Sequence, residues 1–170
     1  HSLYPRSYYL QTAEEQIETG NDKAALALIA KELSQSPIND RAHYLASTVF
    51  CDEGFDSYDL EFCRASASIA LSQNNRNYWD YYNQYLIAYE NSPAAISDSF
   101  VLESVATLKD YFVFVENNVH FTAYTQNVEA AAEFANLIMP FLPKEEAKEI
   151  LVGKEKMLET AKMLRSQKSY

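Results

Sequence analysis

Apolar residues recur along this chain at the three- and four-residue steps of an α-helix and almost nowhere alternate as they would in a strand. The first predicted helix spans about Pro5 to Thr19, with Tyr9, Ala13 and Ile17 on one stripe and Gly20-Asn21-Asp22 as its stop. Asp22 is placed to cap a second helix that ends near Ser36-Pro37 and turns Ala25, Leu28, Ile29 and Leu33 inward. A third starts at Asn39 or Asp40, where Ala42, Leu45, Ala46, Val49 and Phe50 follow the spacing of an amphipathic face, and it stops at Gly54. A fourth, about Ser57 to Gln73, is rich in small residues (Ala65, Ala67, Ala70) that allow neighbouring helices to approach closely.

The fifth helix, roughly Arg76 to Glu90, carries Tyr78, Trp79, Tyr81, Tyr82, Tyr85 and Tyr89. Asn91-Ser92-Pro93 breaks it, with Ser92 as N-cap and Pro93 at the first position of a sixth helix that holds Phe100, Leu108, Tyr111, Phe112 and Val115. A seventh contains Phe121, Tyr124, Val128, Ala131, Ala135 and Ile138, and Pro140 and Pro143 end it. The last, Lys144 to Ser166, places Ile150, Leu151, Met157, Leu158, Ala161 and Leu164 inward under a solvated Glu/Lys face. Short connections imply antiparallel neighbours, so about eight helices make four hairpins in one all-α domain over residues 1–170.

Composition agrees. Among 170 residues there are only 3 Gly and 5 Pro, too few to turn an antiparallel β protein. The length can bury a core without help from disulfides or metals. Net charge is −10, which disfavours phosphate-rich partners and anionic membrane surfaces, so neither nucleic acid nor membrane is expected as a partner. No apolar run approaches the ~18 residues of a membrane span. The first residue is His1 and not Met, which points to a removed signal peptide, preceding region or tag; the compartment stays open between cytoplasmic and periplasmic or secreted.

Gly20 and Gly54 lie 34 residues apart, and both fall in turns where a left-handed residue is expected. Read from Arg6, the first unit resembles the tetratricopeptide repeat at Ala13, Gly20, Ala25, Leu33 and Pro37, with Tyr9 and Ile29 in its large slots; Thr12 and Gln16 depart from it. The second matches at Phe50 and Gly54, with Ser47 in the small slot and His43 in the aromatic one, and the third begins at Trp79 and continues with Leu86, Asn83 replacing the small residue. The resemblance covers about half the chain. It implies degenerate repeats at about 6–39, 40–75 and 76–117, a capping hairpin at 119–167, and a right-handed superhelix of stacked hairpins. Its concave surface would present Leu10, Glu14, Arg41, Tyr44, Thr48, Asn77, Asp80 and Gln84 to a protein or peptide. Only Arg41 and Asn77 are comparable with the family's carboxylate clamp, so capture of chaperone tails is not expected. Small acidic repeat proteins also serve as secretion chaperones, a resemblance of size and charge.

The chemistry-bearing residues form no catalytic motif, and no enzyme activity, cofactor or metal is expected. Asp52 to Cys63 fails the EF-hand pattern, with Gly two places after the first Asp and Cys63 in place of the twelfth-position Glu; Asp56 and Asp59 read as helix N-terminal caps. His43 and His120 are far apart, and His43 reads as a hydrogen-bonded packing residue. A terminal His1 can chelate copper, a role the helical pattern does not favour. If the second hairpin folds back near Ser57, Cys51 and Cys63 face each other and a disulfide is geometrically allowed; in a reducing compartment they are small packing thiols. On the fifth helix Tyr78, Tyr81, Tyr85 and Tyr89 form one stripe and Trp79, Tyr82 and Leu86 another. Two apolar stripes fit either an inner helix packed on both sides or a groove in which Tyr81 and Tyr85 meet a partner. The function expected is therefore a non-enzymatic adaptor or chaperone-like module. A subunit of a homo-oligomer, or a small-molecule binder with an aromatic pocket, are the other classes.

Overall fold

The computed structural model describes residues 7–75, 78–117 and 125–167, and every regular element among them is helical. Eight α-helices follow in order: α1 (Tyr8–Glu18), α2 (Asp22–Gln35), α3 (Asp40–Phe50), α4 (Leu60–Ser72), α5 (Trp79–Ala88), α6 (Asp98–Asn117), α7 (Thr125–Ile138) and α8 (Lys144–Gln167). Two 3-10 turns, Pro93–Ala95 and Met139–Phe141, carry prolines that cannot continue a helix. The all-α class and the eight helices that the periodicity predicts are those observed. His1, Asn77, His120, Phe121 and Tyr124 lie outside the described residues.

Capping side chains explain several of the helix starts. Ser7 Oγ accepts from the Leu10 N–H at 3.0 Å, Asn39 Oδ1 from Ala42 at 3.2 Å, and Asp59 Oδ1 from Phe62 at 3.0 Å. Three starts differ from the pattern. Asn21, not Asp22, occupies the N-cap of α2, and Asp22 instead accepts the Ser57 N–H at 3.0 Å. The fourth helix starts at Leu60 and not at Ser57, because the chain first makes two tight turns, Phe55 N–H to Asp52 O and Tyr58 N–H to Phe55 O. Pro93 opens a 3-10 turn, not α6, since Ile96 is extended and buried; Ser97 Oγ then accepts the Phe100 N–H at 3.1 Å.

The two glycine turns are not alike. Gly20 takes φ +85° and ends α1 with paired bonds, Asn21 N–H to Gln16 O and Gly20 N–H to Ile17 O. Gly54 is not among the positive-φ glycines, contrary to the left-handed turn expected there. It sits inside the longer segment 51–59 that joins α3 to α4, whereas 19–21 suffices between α1 and α2. The 34-residue glycine spacing therefore does not mark equivalent turn positions.

The chain groups into two compact units, and the division falls inside α5. The first takes the described residues up to Asn75 together with Gln84–Asn91; the second takes Tyr78–Asn83 and the described residues from Ser92 onward. In the first, α1 packs with α2, α3 with α4, and α2 and α1 with α3. Ala13, Ala25 and Ala42, all fully buried, sit with Leu10, Ile29, Leu45 and Ala46 in its main cluster, and their lack of bulk lets the helices close up. In the second, α6 and α7 pack against α8. Its core includes Leu108, Val115, Phe134, Ile138, Ile150 and Met157. On α8, Ile150, Met157, Ala161 and Leu164 point inward as expected, but Leu151 and Leu158 flank that stripe and remain exposed. The sixth helix packs on α8 and α7, and its Phe100 ring lies 6.5 Å from Tyr82 of α5.

The first residues of α5 are tied into the second unit by polar and aromatic contacts. The Trp79 N–H donates to Asn127 Oδ1 at 3.0 Å, and Asn83 Nδ2 donates to Ala130 O at 3.0 Å. The Trp79 ring lies 5.3 Å from Phe134 and 5.6 Å from Tyr111, separations at which aromatic pairs attract beyond their burial.

Candidate functional site

In the first unit the end of α3, the start of segment 51–59 and the second half of α5 enclose an open cleft of about 380 Å³. That volume lies in the range of ordinary ligand clefts, ~300–1,000 Å³. One wall is Thr48, Cys51, Asp52 and Glu53; the other is Gln84, Ile87 and Glu90. The spacing explains both walls. Thr48, Cys51 and Asp52 are three and four residues apart at the end of α3, and Gln84, Ile87 and Glu90 follow in steps of three. Gln84 Nε2 donates to Ser47 O at 3.4 Å and links the walls, while Thr48 Oγ1 donates to Leu45 O within its own helix.

Three lining side chains are carboxylates, and no Lys or Arg lines the cleft. Asp52 Oδ1 accepts the Gly54 N–H at 2.8 Å, and a Cβ on residue 54 would lie 3.1 Å from that oxygen, so a larger residue there requires the Asp52 carboxylate to shift by a few tenths of an ångström. Asp52, Glu53 and Glu90 enter no ion pair among the described residues. Ile87 adds an apolar surface.

Cys51 and Cys63 are joined by a disulfide with Cα atoms 4.8 Å apart. Cys51 follows the last residue of α3, and Cys63 lies in the first turn of α4, 1% exposed. The bridge packs with Ala67, Ala88, Phe50 and Tyr89. Beside it Arg64 Nε donates to Ala88 O at 3.0 Å, and its guanidinium stands 4.8 Å from the Tyr89 ring centre. Tyr85 and Tyr89 are 5.1 Å apart; burial, with Tyr89 as a smaller cause, holds the Tyr85 hydroxyl above the usual tyrosine range.

The residues expected on a partner surface do not all come together. Thr48 and Gln84 line the cleft. Glu14, Arg41 and Tyr44 come together elsewhere in the first unit: Arg41 pairs with Glu14 at 3.1 Å and covers the Tyr44 ring at 5.0 Å, so its charge is already engaged. Leu10 and Tyr81 are 5% and 1% exposed and do not reach a surface, because each falls on the inward stripe of its helix. Asp80 is exposed, Tyr85 is half-buried, and Asn77 lies outside the described residues. His43 donates a ring nitrogen to Pro37 O at 2.9 Å. Among the described residues no three metal-ligating side chains converge, and no described helix is long and apolar enough to cross a membrane.

Asp52, Glu53, Ile87 and Glu90 were not candidates on sequence. The acidic turn was visible as a charge run, but its position opposite Glu90 depends on how segment 51–59 folds back. No protein-family model, curated protein or solved structure matches the chain.

Proposed function

We propose that the protein is a non-enzymatic binding module of stacked, tetratricopeptide-like hairpins whose acidic cleft takes a cationic segment of a partner protein. The observation that carries this reading is the cleft itself: three carboxylates without ion pairs, an apolar side chain between them, and room for an extended side chain. A Lys or Arg suits such a place, since its aliphatic stem can lie on Ile87 while its head reaches the carboxylates. The close packing of α1 with α2 and α3, and of α3 with α4, supports the stacked-hairpin reading, as does the Glu14–Arg41 pair between the first helices of successive hairpins.

Selection from a displayed peptide library tests it. Peptides enriched in Lys and Arg are the expected result, with affinity that falls as salt rises. Changing Glu53 and Glu90 together to Gln weakens binding about five-fold, on roughly 0.5 kcal/mol for each exposed charge pair. Selected peptides that ignore both substitutions, or a selection with no basic enrichment, would refute the proposal.

A further inference from the structure

The chain has two cysteines, and the disulfide they form closes one wall of the cleft. The middle of segment 51–59 is bonded within the segment: Phe55 N–H to Asp52 O, Tyr58 N–H to Phe55 O, and Gly54 N–H to Asp52 Oδ1. Its far end is anchored twice, by Ser57 N–H to Asp22 Oδ2 and by Asp59 N–H to Phe50 O. The near end carries the two lining carboxylates Asp52 and Glu53. There the backbone bonds are those of a terminal helical turn, Cys51 N–H to Ser47 O and Asp52 N–H to Val49 O, which readily fray. The disulfide ties this fraying turn to α4. It also touches the opposite wall through Ala88, whose carbonyl is held by Arg64, the residue after Cys63.

We infer that the cleft is redox-gated: the closed disulfide holds Asp52 and Glu53 in place, and reduction to two thiols releases that wall and weakens capture of a cationic segment. The inference rests on the peptide-binding reading for its consequence, but not for the structural change itself. The chemistry is exchange with a dithiol reductant. Its thiolate attacks Sγ of Cys51, which is reached from the cleft, because Cys63 is buried. The S–S bond breaks with its electron pair on Cys63 Sγ, which takes up a proton. The reductant's second thiol then displaces Cys51, which is also protonated, and the reductant leaves as its own disulfide. Cys63 departs into an apolar cluster where a thiolate is poorly solvated, so the gate responds to sustained reduction and not to brief exposure. By the same geometry an occupant lying over Cys51 slows the exchange.

Hydrogen exchange on the full chain, oxidised and after dithiothreitol, reads the wall directly. A labelled Lys-Ala repeat peptide reads the cleft, and Trp79 fluorescence reports whether the second unit stays folded. The expected result is faster exchange at residues 51–56 by about ten-fold and peptide binding about five-fold weaker, with residues 125–138 and Trp79 unchanged. The Cys51→Ser, Cys63→Ala double variant should show the same pattern without reductant and should not respond to it. Equal exchange at 51–56 in the two states overturns the gate, and so does general unfolding on reduction, which would make the bridge a staple of the whole unit. A peptide that binds both states equally overturns the gate while leaving the binding reading intact. A peptide that binds neither state refutes the binding reading, and the exchange data still decide whether the wall is released.

Discussion

Gly153 lies in the interior of α8, where glycine is roughly 1 kcal/mol worse than alanine, so propensity alone predicts that Gly153→Ala stabilises the protein. The packing predicts the opposite sign. A Cβ at this position would stand 2.5 Å from Phe112 Cδ2 and 2.8 Å from Cε2, far inside the ~3.5–4.0 Å of a comfortable carbon contact. Phe112 is only 7% exposed, so its ring cannot swing into solvent to make room. Either the ring leaves its rotamer or α6 and α8 separate, and overpacking of this kind costs roughly 1–3 kcal/mol. The net expectation is a loss of about 1 kcal/mol, or ~2–4 °C in Tm for a chain of this size. Chemical denaturation followed by Trp79 fluorescence confines the measurement to the unit that contains both residues. A Phe112→Ala background, itself ~3–5 kcal/mol less stable, removes the obstruction. There Gly153→Ala should regain up to ~1 kcal/mol, and the reversal of sign is the signature of direct coupling. If Gly153→Ala raises stability in the unaltered protein, the ring does not lean on the α8 backbone and the reasoning fails.

Burial holds the Tyr82, Tyr85 and Tyr111 hydroxyls above their ordinary range. Because the native values are raised, the associated stability is fully present below the unfolded value of ~10 and is lost as pH rises through the native ones. Tyrosinate absorbance should therefore show these three ionising together with unfolding, and a Tyr111→Phe protein should lose stability less steeply in alkali. The hydrogen bond from Ser57 holds the Asp22 carboxyl below the usual range, so its contribution is present above the unfolded value of ~3.9 and disappears as pH falls through the native one. Asp22→Asn should flatten the acid limb of urea midpoints against pH; an unchanged limb would show that the Ser57 contact is not maintained in solution.

The helices other than α5 are legible because each buries one main stripe, and the stripe is written at fixed spacing. The α7 positions Val128, Ala131, Ala135 and Ile138 are all buried, as their steps of three and four require. Starts and turns were less legible where two local signals compete. Pro93 is as acceptable in a 3-10 turn as at the head of a helix, and the choice was made by Ile96, whose burial holds the chain extended. Gly54 matched the repeat spacing, yet the Asx turn at Asp52 sets its role. Of the expected partner surface, Thr48 and Gln84 do share a cleft, while Arg41 is engaged by Glu14 and Tyr44. Periodicity cannot report that engagement, because Glu14 is 27 residues away in sequence.

The aromatic density of α5 bears on which functional class the molecule fits. Trp79, Tyr81, Asn83, Leu86 and Ala88 are all buried, which places two stripes of this short helix in packed interior. The Tyr82 ring lies against Trp79 and Phe134, and Tyr85 against Tyr89, so the rings fill space between side chains and do not line an open pocket. What α5 presents outward in the first unit is a third stripe of Gln84, Ile87 and Glu90, none of it aromatic. Within that unit Gln84 Nε2 donates to Ser47 O at 3.4 Å, which sets this stripe against the Thr48–Glu53 wall. That preorganisation lowers the ordering cost of binding. On the proposed reading, recognition at the cleft depends on the placement of its carboxylates, Glu90 among them.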